Sequence, residues 1–159
     1  MTDQTKTERT VVHETFVIER VYPVPPSRVF NAYADREVKA RWFDGPPEME
    51  VLESTLDFRV GGRERNVVKE EGSPVMAYDA VYWDIVPDSR IVTTYDMHLD
   101  GRRISVSVAT TELVAEGDGT RLIYTEQGAF LDGLDTAASR QEGSVWLLDA
   151  LGEELARHG

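Results

Sequence analysis

Between Met49 and Gly128 the chain reads as six extended runs joined only by short turns, and this limits the fold more than any other feature. The runs cover residues 49–58, 63–70, 75–86, 91–98, 103–115 and 120–128. Gly61-Gly62, Glu71-Gly72-Ser73-Pro74, Pro87-Asp88, Asp100-Gly101 and Gly117-Asp118-Gly119 separate them. A parallel pair needs a crossover of about a dozen residues or more, and none of these connections is long enough. The pattern predicts an antiparallel meander.

Elements on either side complete the architecture. Residues 11–22 are rich in β-formers (Val12, Phe16, Ile18) and predict a first strand, stopped by Pro23, Pro25 and Pro26. Helical spacing over 28–33 and 37–42 predicts two short helices, the second ended by Gly45-Pro46-Pro47. A longer helix is expected from about residue 136 to 158, with Leu147, Leu148, Leu151 and Leu155 forming an apolar stripe. One antiparallel sheet and one long helix must bury that stripe against a sheet face. The expected class is α+β: a curved antiparallel sheet of about seven strands wrapped on a long C-terminal helix, with two short helices after strand 1. Residues 1–10 are expected to form a flexible tail and 11–159 a single domain.

Charge narrows the partners. The net charge of −12 leaves no basic stripe for nucleic acid and disfavours an anionic membrane surface. The chain has no cysteine, so disulfides and thiolate chemistry are excluded. Its first ten residues lack the apolar core of a secretory signal, and no apolar run reaches transmembrane length, so no membrane insertion is expected. A cytoplasmic protein is the expectation.

Familiar catalytic patterns are missing. His13, His98 and His158 are scattered, with no metal-ligand spacing between them, so no metal is expected. Ser105, Ser107 and Ser139 lie outside any nucleophile-elbow motif, and Gly61-Gly62 lacks the Lys-Ser/Thr of a phosphate loop. Glu126 is the best acid/base candidate, with Tyr124 and Tyr95 beside it. Alternation puts Leu122, Tyr124 and Glu126 on one strand face. Glu126 then either enters the interior, where burial would raise its pKa, or lies at the rim paired to an arginine such as Arg140. For residues 75–86 the period leaves both faces open: Val81, Trp83 and Ile85 share one, Ala80, Tyr82 and Asp84 the other.

Several motifs carry a family resemblance. They are Val21-Tyr22-Pro23-Val24-Pro25-Pro26-Ser27-Arg28-Val29-Phe30, Arg41-Trp42-Phe43, Asp57-Phe58-Arg59-Val60-Gly61-Gly62-Arg63, Ile85-Val86-Pro87-Asp88-Ser89-Arg90-Ile91-Val92 and Gly119-Thr120-Arg121-Leu122. Together they resemble the activator of heat-shock protein 90 ATPase homology family, within the START-like (Bet v 1-like) superfamily, over about residues 12–156. The segment Tyr124-Thr125-Glu126-Gln127-Gly128-Ala129-Phe130-Leu131-Asp132-Gly133 is similar to a bacterial branch of it.

The resemblance implies the helix-grip fold and a deep, mostly apolar cavity, used across the superfamily for lipids, polyketides and aromatics. A small hydrophobic or aromatic ligand, bound without cofactor, is the expected partner. A cyclase- or aromatase-like enzyme is the alternative, and a chaperone accessory a further one. The family's co-chaperone members carry a second, N-terminal domain with no counterpart in these 159 residues. A homodimer is compatible with such a domain, although no exposed apolar stripe marks its interface.

The expected cavity residues are Phe30, Trp42 and Phe43 from the short helices, Tyr82, Trp83, Tyr95, Met97, Val106, Leu122 and Tyr124 from the sheet, and Trp146, Leu147, Ala150 and Leu151 from the long helix. Trp42 and Phe43 read either as a pocket wall or as a plug closing the core. Trp146 is expected to face the cavity and narrow it. Asp57, Gly61, Gly62 and Pro87 are expected to shape the sheet rather than to react.

Overall fold

In the computed structural model, residues 9–157 are described; most of the expected tail, residues 1–8, and His158 lie outside the described residues. The strands are β1 (Val11–Tyr22), β2 (Glu50–Leu56), β3 (Arg63–Lys69), β4 (Met76–Val86), β5 (Arg90–Leu99), β6 (Arg102–Glu116) and β7 (Gly119–Leu131). They form one sheet in the order β1-β7-β6-β5-β4-β3-β2, antiparallel throughout. Helices α1 (Pro26–Ala34) and α2 (Arg36–Phe43) carry the chain from one sheet edge to the other, and α3 (Ala137–Arg157) lies across the concave face. This is the helix-grip arrangement.

Local chemistry sets the element ends. Pro26 opens α1, where a missing N–H costs nothing. Asp35 ends α1 and caps α2, its Oδ1 accepting from the N–H groups of Glu37 and Val38 at 2.9 and 3.2 Å. Thr136 Oγ1 accepts from the Ser139 N–H at 3.1 Å at the start of α3.

The sheet bends at register shifts where β2, β4 and β6 each carry an extra residue, Leu52, Trp83 and Ile104 in turn. Beside the second shift lies the Gly61-Gly62 corner. Gly61 has a φ of 85°, and its N–H donates to the Tyr82 carbonyl at 2.8 Å. The Tyr82 N–H donates back to Gly62 at 3.0 Å, so the corner extends the β3–β4 ladder. Pro87 lies in the tight β4–β5 turn.

Alternation divides the residues between two faces. Phe16, Ile18 and Tyr22 of β1, Leu113 of β6 and Leu122 of β7 pack under α3 with Leu148, Leu151 and Leu155. Val29, Ala32 and Trp42 complete this core. The Tyr22 hydroxyl donates to the Leu148 carbonyl at 2.7 Å, tying β1 to the helix backbone. Each fully buried leucine contributes about 1.5–3 kcal/mol.

One sequence expectation is corrected by the sheet. Strand β7 runs on through Ala129, Phe130 and Leu131, beyond the end expected at residue 128. The convex face carries exposed apolar residues, among them Val17, Val106 and Val108, because Val17 alternates with the buried Phe16 and Ile18, and Val106 and Val108 alternate with the buried Ser105, Ser107 and Ala109.

Candidate functional site

A cavity of about 720 Å³ lies between the N-terminal half of α3 and the concave face of β3 to β7, where the helix stands off the sheet. The core cluster fills the space beneath the C-terminal half of α3. Its walls are aromatic and aliphatic: Tyr33, Trp42, Phe43, Tyr78, Tyr82, Tyr95 and Tyr124 with Ile91, Met97 and Ile104. Ring contacts order that wall. Phe43 meets Tyr78 edge-on at 5.1 Å, and Tyr78 meets Tyr95 at 4.7 Å. Exposed Ser139, Gly143 and Trp146 of α3 mark the mouth, opposite Pro46, Met49 and Met76.

One end is built around Glu126. Register sets it between Phe16 of β1 and Ala109 of β6, fully buried. Tyr95 donates to its Oε2 at 2.6 Å and Tyr124 to its Oε1 at 2.7 Å. Arg140 of α3 donates through Nη1 to the Tyr95 oxygen at 2.9 Å and to Glu126 Oε2 at 3.3 Å. Its Nη2 reaches Ser105 Oγ and Asp135 Oδ2, each at 2.7 Å. Burial pushes both phenols upward, and the Glu126 carboxylate adds to this, so Tyr95 and Tyr124 stay protonated donors. Burial alone would lower the Arg140 guanidinium, but Tyr95, Glu126 and Asp135 outweigh it and raise it.

The other end is built around Glu64 of β3. Lys39 donates to its Oε1 at 2.7 Å, and the Tyr82 hydroxyl donates to the same oxygen at 2.6 Å. The Lys39 ammonium lies 4.4 Å from the centre of the Phe43 ring, a cation–π contact. Beside it, Asp44 accepts from Asn66 Nδ2 at 2.7 Å. Burial and the nearby Glu64 charge raise the Asp44 carboxyl above its usual range, more than Asn66, Lys39 and Arg36 lower it. Tyr78 lies between the two ends, and its hydroxyl has no hydrogen-bond partner among the described residues.

Of the expected cavity residues, Trp42, Phe43, Tyr82, Tyr95, Met97, Tyr124, Trp146 and Leu147 line it. Six do not. Trp83 and Val106 point to the convex face, Trp83 donating to Thr94 Oγ1 at 2.7 Å, because alternation gives the cavity to Tyr78, Ala80 and Tyr82. Leu122 and Leu151 are sealed in the core under α3, Ala150 packs against that core, and Phe30 packs there edge-on to Phe58 at 5.6 Å. Trp42 is both wall and plug, its Nε1 donating to the Ala32 carbonyl at 3.0 Å. Trp146 is half-exposed at the mouth and does not divide the interior. Glu126 is buried rather than at the rim, yet its partner is Arg140.

Strand pairing also brings Asp79 opposite Asp96 and near His98 on the convex face, with ligand atoms within 4.8 Å of one another. Spacing along the chain hides this group. Arg65 holds both Asp79 oxygens at 2.7 Å and Arg103 holds Asp96 at 3.0 Å, so the carboxylates already have counter-charges.

Residues 23–156 match the model of the family described as Activator of Hsp90 ATPase homolog 1-like protein. The chain belongs to this family. The Mll3558 protein of Rhizobium loti is 49% identical, with a TM-score of 0.85 over 91% of this chain and 99% of its own. A Rhizobium leguminosarum protein is 44% identical, with a TM-score of 0.91 over 95% and 99%. The AHSA1-like protein of Aeromonas hydrophila is 21% identical and shares the fold, with a TM-score of 0.73 over 92% and 94%. No curated protein matches the chain in sequence. No helix among the described residues is long and apolar enough to cross a membrane.

Proposed function

We propose that this protein binds a small hydrophobic or aromatic ligand in the cavity between the sheet and α3. The carrying observation is the cavity of about 720 Å³ with aromatic walls and a few polar groups converging at its ends. Small-molecule sites have this size and this mixture of surfaces. A core without a ligand role would be expected to close such a space, because voids forfeit dispersion contacts.

Binding accounts for the polar groups better than catalysis does. Both oxygens of Glu126 are taken by donors, and Tyr95, Tyr124 and Arg140 face the cavity in its place. A general base must reach its substrate proton directly or through one water. We place this binding in the cytoplasm, where a chain without cysteine is unaffected by reducing conditions.

The test is direct. Native mass spectrometry of freshly purified protein should show a co-purified small molecule, and stripped protein should bind neutral N-phenyl-1-naphthylamine with one-to-one stoichiometry. Replacing Ala109, at the cavity floor, by Phe should abolish that binding while the far-ultraviolet circular dichroism is kept. No co-purified molecule together with no binding of the probe would overturn the reading.

A further inference from the structure

Charge around the cavity is unbalanced. Six ionisable acidic or basic residues stand at its walls or directly behind them. Lys39 and Arg140 supply two positive charges, whereas Asp44, Glu64, Glu126 and Asp135 supply four negative, a formal sum of −2. Lys39 is taken by Glu64, and Arg140 is shared between Glu126 and Asp135. That leaves Asp44. It lines the cavity and forms no ion pair among the described residues, with Asn66 as its side-chain hydrogen-bond donor.

The position of Asp44 fits a cation. It follows Phe43 at the end of α2, next to the run of rings Phe43, Tyr78 and Tyr95. Aromatic faces attract ammonium groups, and the free Tyr78 hydroxyl offers a further acceptor. Lys39 is a poor anchor for an anion, because an incoming carboxylate would compete with Glu64 at 2.7 Å and meet Asp44 as well. The net charge of −12 further enriches cations at the mouth.

From this geometry we infer that the cavity selects its ligand by charge, taking an aromatic amine with its ammonium on Asp44 and discriminating against aromatic acids. The inference rests on the ligand-binding reading above and adds the class of ligand to it. Ionised Asp44 is disfavoured in the free protein by burial and by Glu64. A bound ammonium supplies the missing counter-charge.

Three probes of one shape test it: 2-naphthylmethylamine, 2-naphthylmethanol and 2-naphthoate, titrated calorimetrically at pH 7 and low salt into wild-type protein and Asp44→Asn. The neutral alcohol should bind both proteins alike. In the wild type the amine should bind about tenfold more tightly than the alcohol, and the acid more weakly than either. Asp44→Asn keeps an oxygen for Asn66 and should bring the amine within about twofold of the alcohol. Naphthoate binding as tightly as the amine to wild-type protein would overturn the inference without any variant. An amine advantage that survives Asp44→Asn would overturn it too. If none of the three probes binds either protein, the cavity reading itself falls and the inference falls with it.

Discussion

Arg140 is a single side chain that satisfies Tyr95, Glu126, Ser105 and Asp135 at once. Replacing it by Met leaves Glu126 buried without its cation, and breaking a buried pair in this way costs about 3–5 kcal/mol. Urea denaturation of Arg140→Met should show a lower midpoint at unchanged slope, and Arg140→Lys should recover little, since one ammonium cannot span four acceptors. A wild-type midpoint would mean that the network contributes nothing to stability. Asp44 predicts the opposite sign. Its carboxyl is raised in the folded state, so its contribution favours folding at pH below the unfolded carboxylate range and is lost as pH rises. Lys39, Arg36 and Glu64 face it, and burial and Glu64 penalise its ionised form. Asp44→Asn should therefore be more stable than wild type at pH 7, with the difference vanishing towards pH 4; equal midpoints at both pH values would count against it. The sequence named the Glu126–Arg140 pair but not its depth, because alternation assigns a face and says nothing of how far the helix stands above it. Lys39 was missed because a lysine in a short helix reads as solvated. Its one signal was spacing: Trp42 and Phe43 follow at three and four residues, on the same helix face.

Most elements were legible because punctuation and period agreed. The prolines after β1, the tight turns between β3 and β7 and the leucine stripe of α3 each specify one local structure, and none conflicts with the sheet order. The end of β7 was not legible. Gly128 reads as a breaker, yet it lies within the strand because a Cβ there would come within 2.8 Å of the Phe130 ring. Space for a neighbour, not a turn, explains that glycine. The Gly61-Gly62 corner is different, since both residues are needed for the backbone path. A Cβ added at Gly62 would overlap the Asp57 carbonyl oxygen and come within 2.9 Å of that of Arg59. Gly62→Ala must shift backbone rather than a side chain, so the Tyr82–Gly62 bond of the β3–β4 ladder should open. Hydrogen exchange should show the Tyr82 amide, bonded to Gly62 at 3.0 Å, losing protection while the Tyr22–Leu148 region of the core keeps its own. Unchanged protection at Tyr82 would show that the corner relaxes without disturbing the sheet.

At the scale of the whole molecule, α3 does two jobs with its two halves. The C-terminal half is welded to β1, α1 and α2 through Leu148, Leu151, Leu155 and the Tyr22 hydroxyl. The N-terminal half carries Ser139, Gly143 and Ser144 along the cavity, and Arg140 ties it to the sheet through Tyr95 and Ser105. Gly143 serves no packing need, since a Cβ there would have no neighbour within 4 Å, and glycine inside a helix costs about 1 kcal/mol relative to alanine. A small residue at a costly position on a cavity mouth argues for an opening that is kept clear. Gly143→Leu should then separate stability from binding. The unliganded melting temperature should rise by about 2–4 °C for a chain of this size, from the helix propensity alone. The rise that 2-naphthylmethanol produces in the wild type should shrink or vanish, because ligand stabilisation follows the ratio of free ligand to dissociation constant. Scanning fluorimetry with and without the alcohol reads both quantities in one experiment. A stabilised variant that retains the full ligand-induced shift would place the entrance elsewhere on the rim, on the side of Pro46 and Met49.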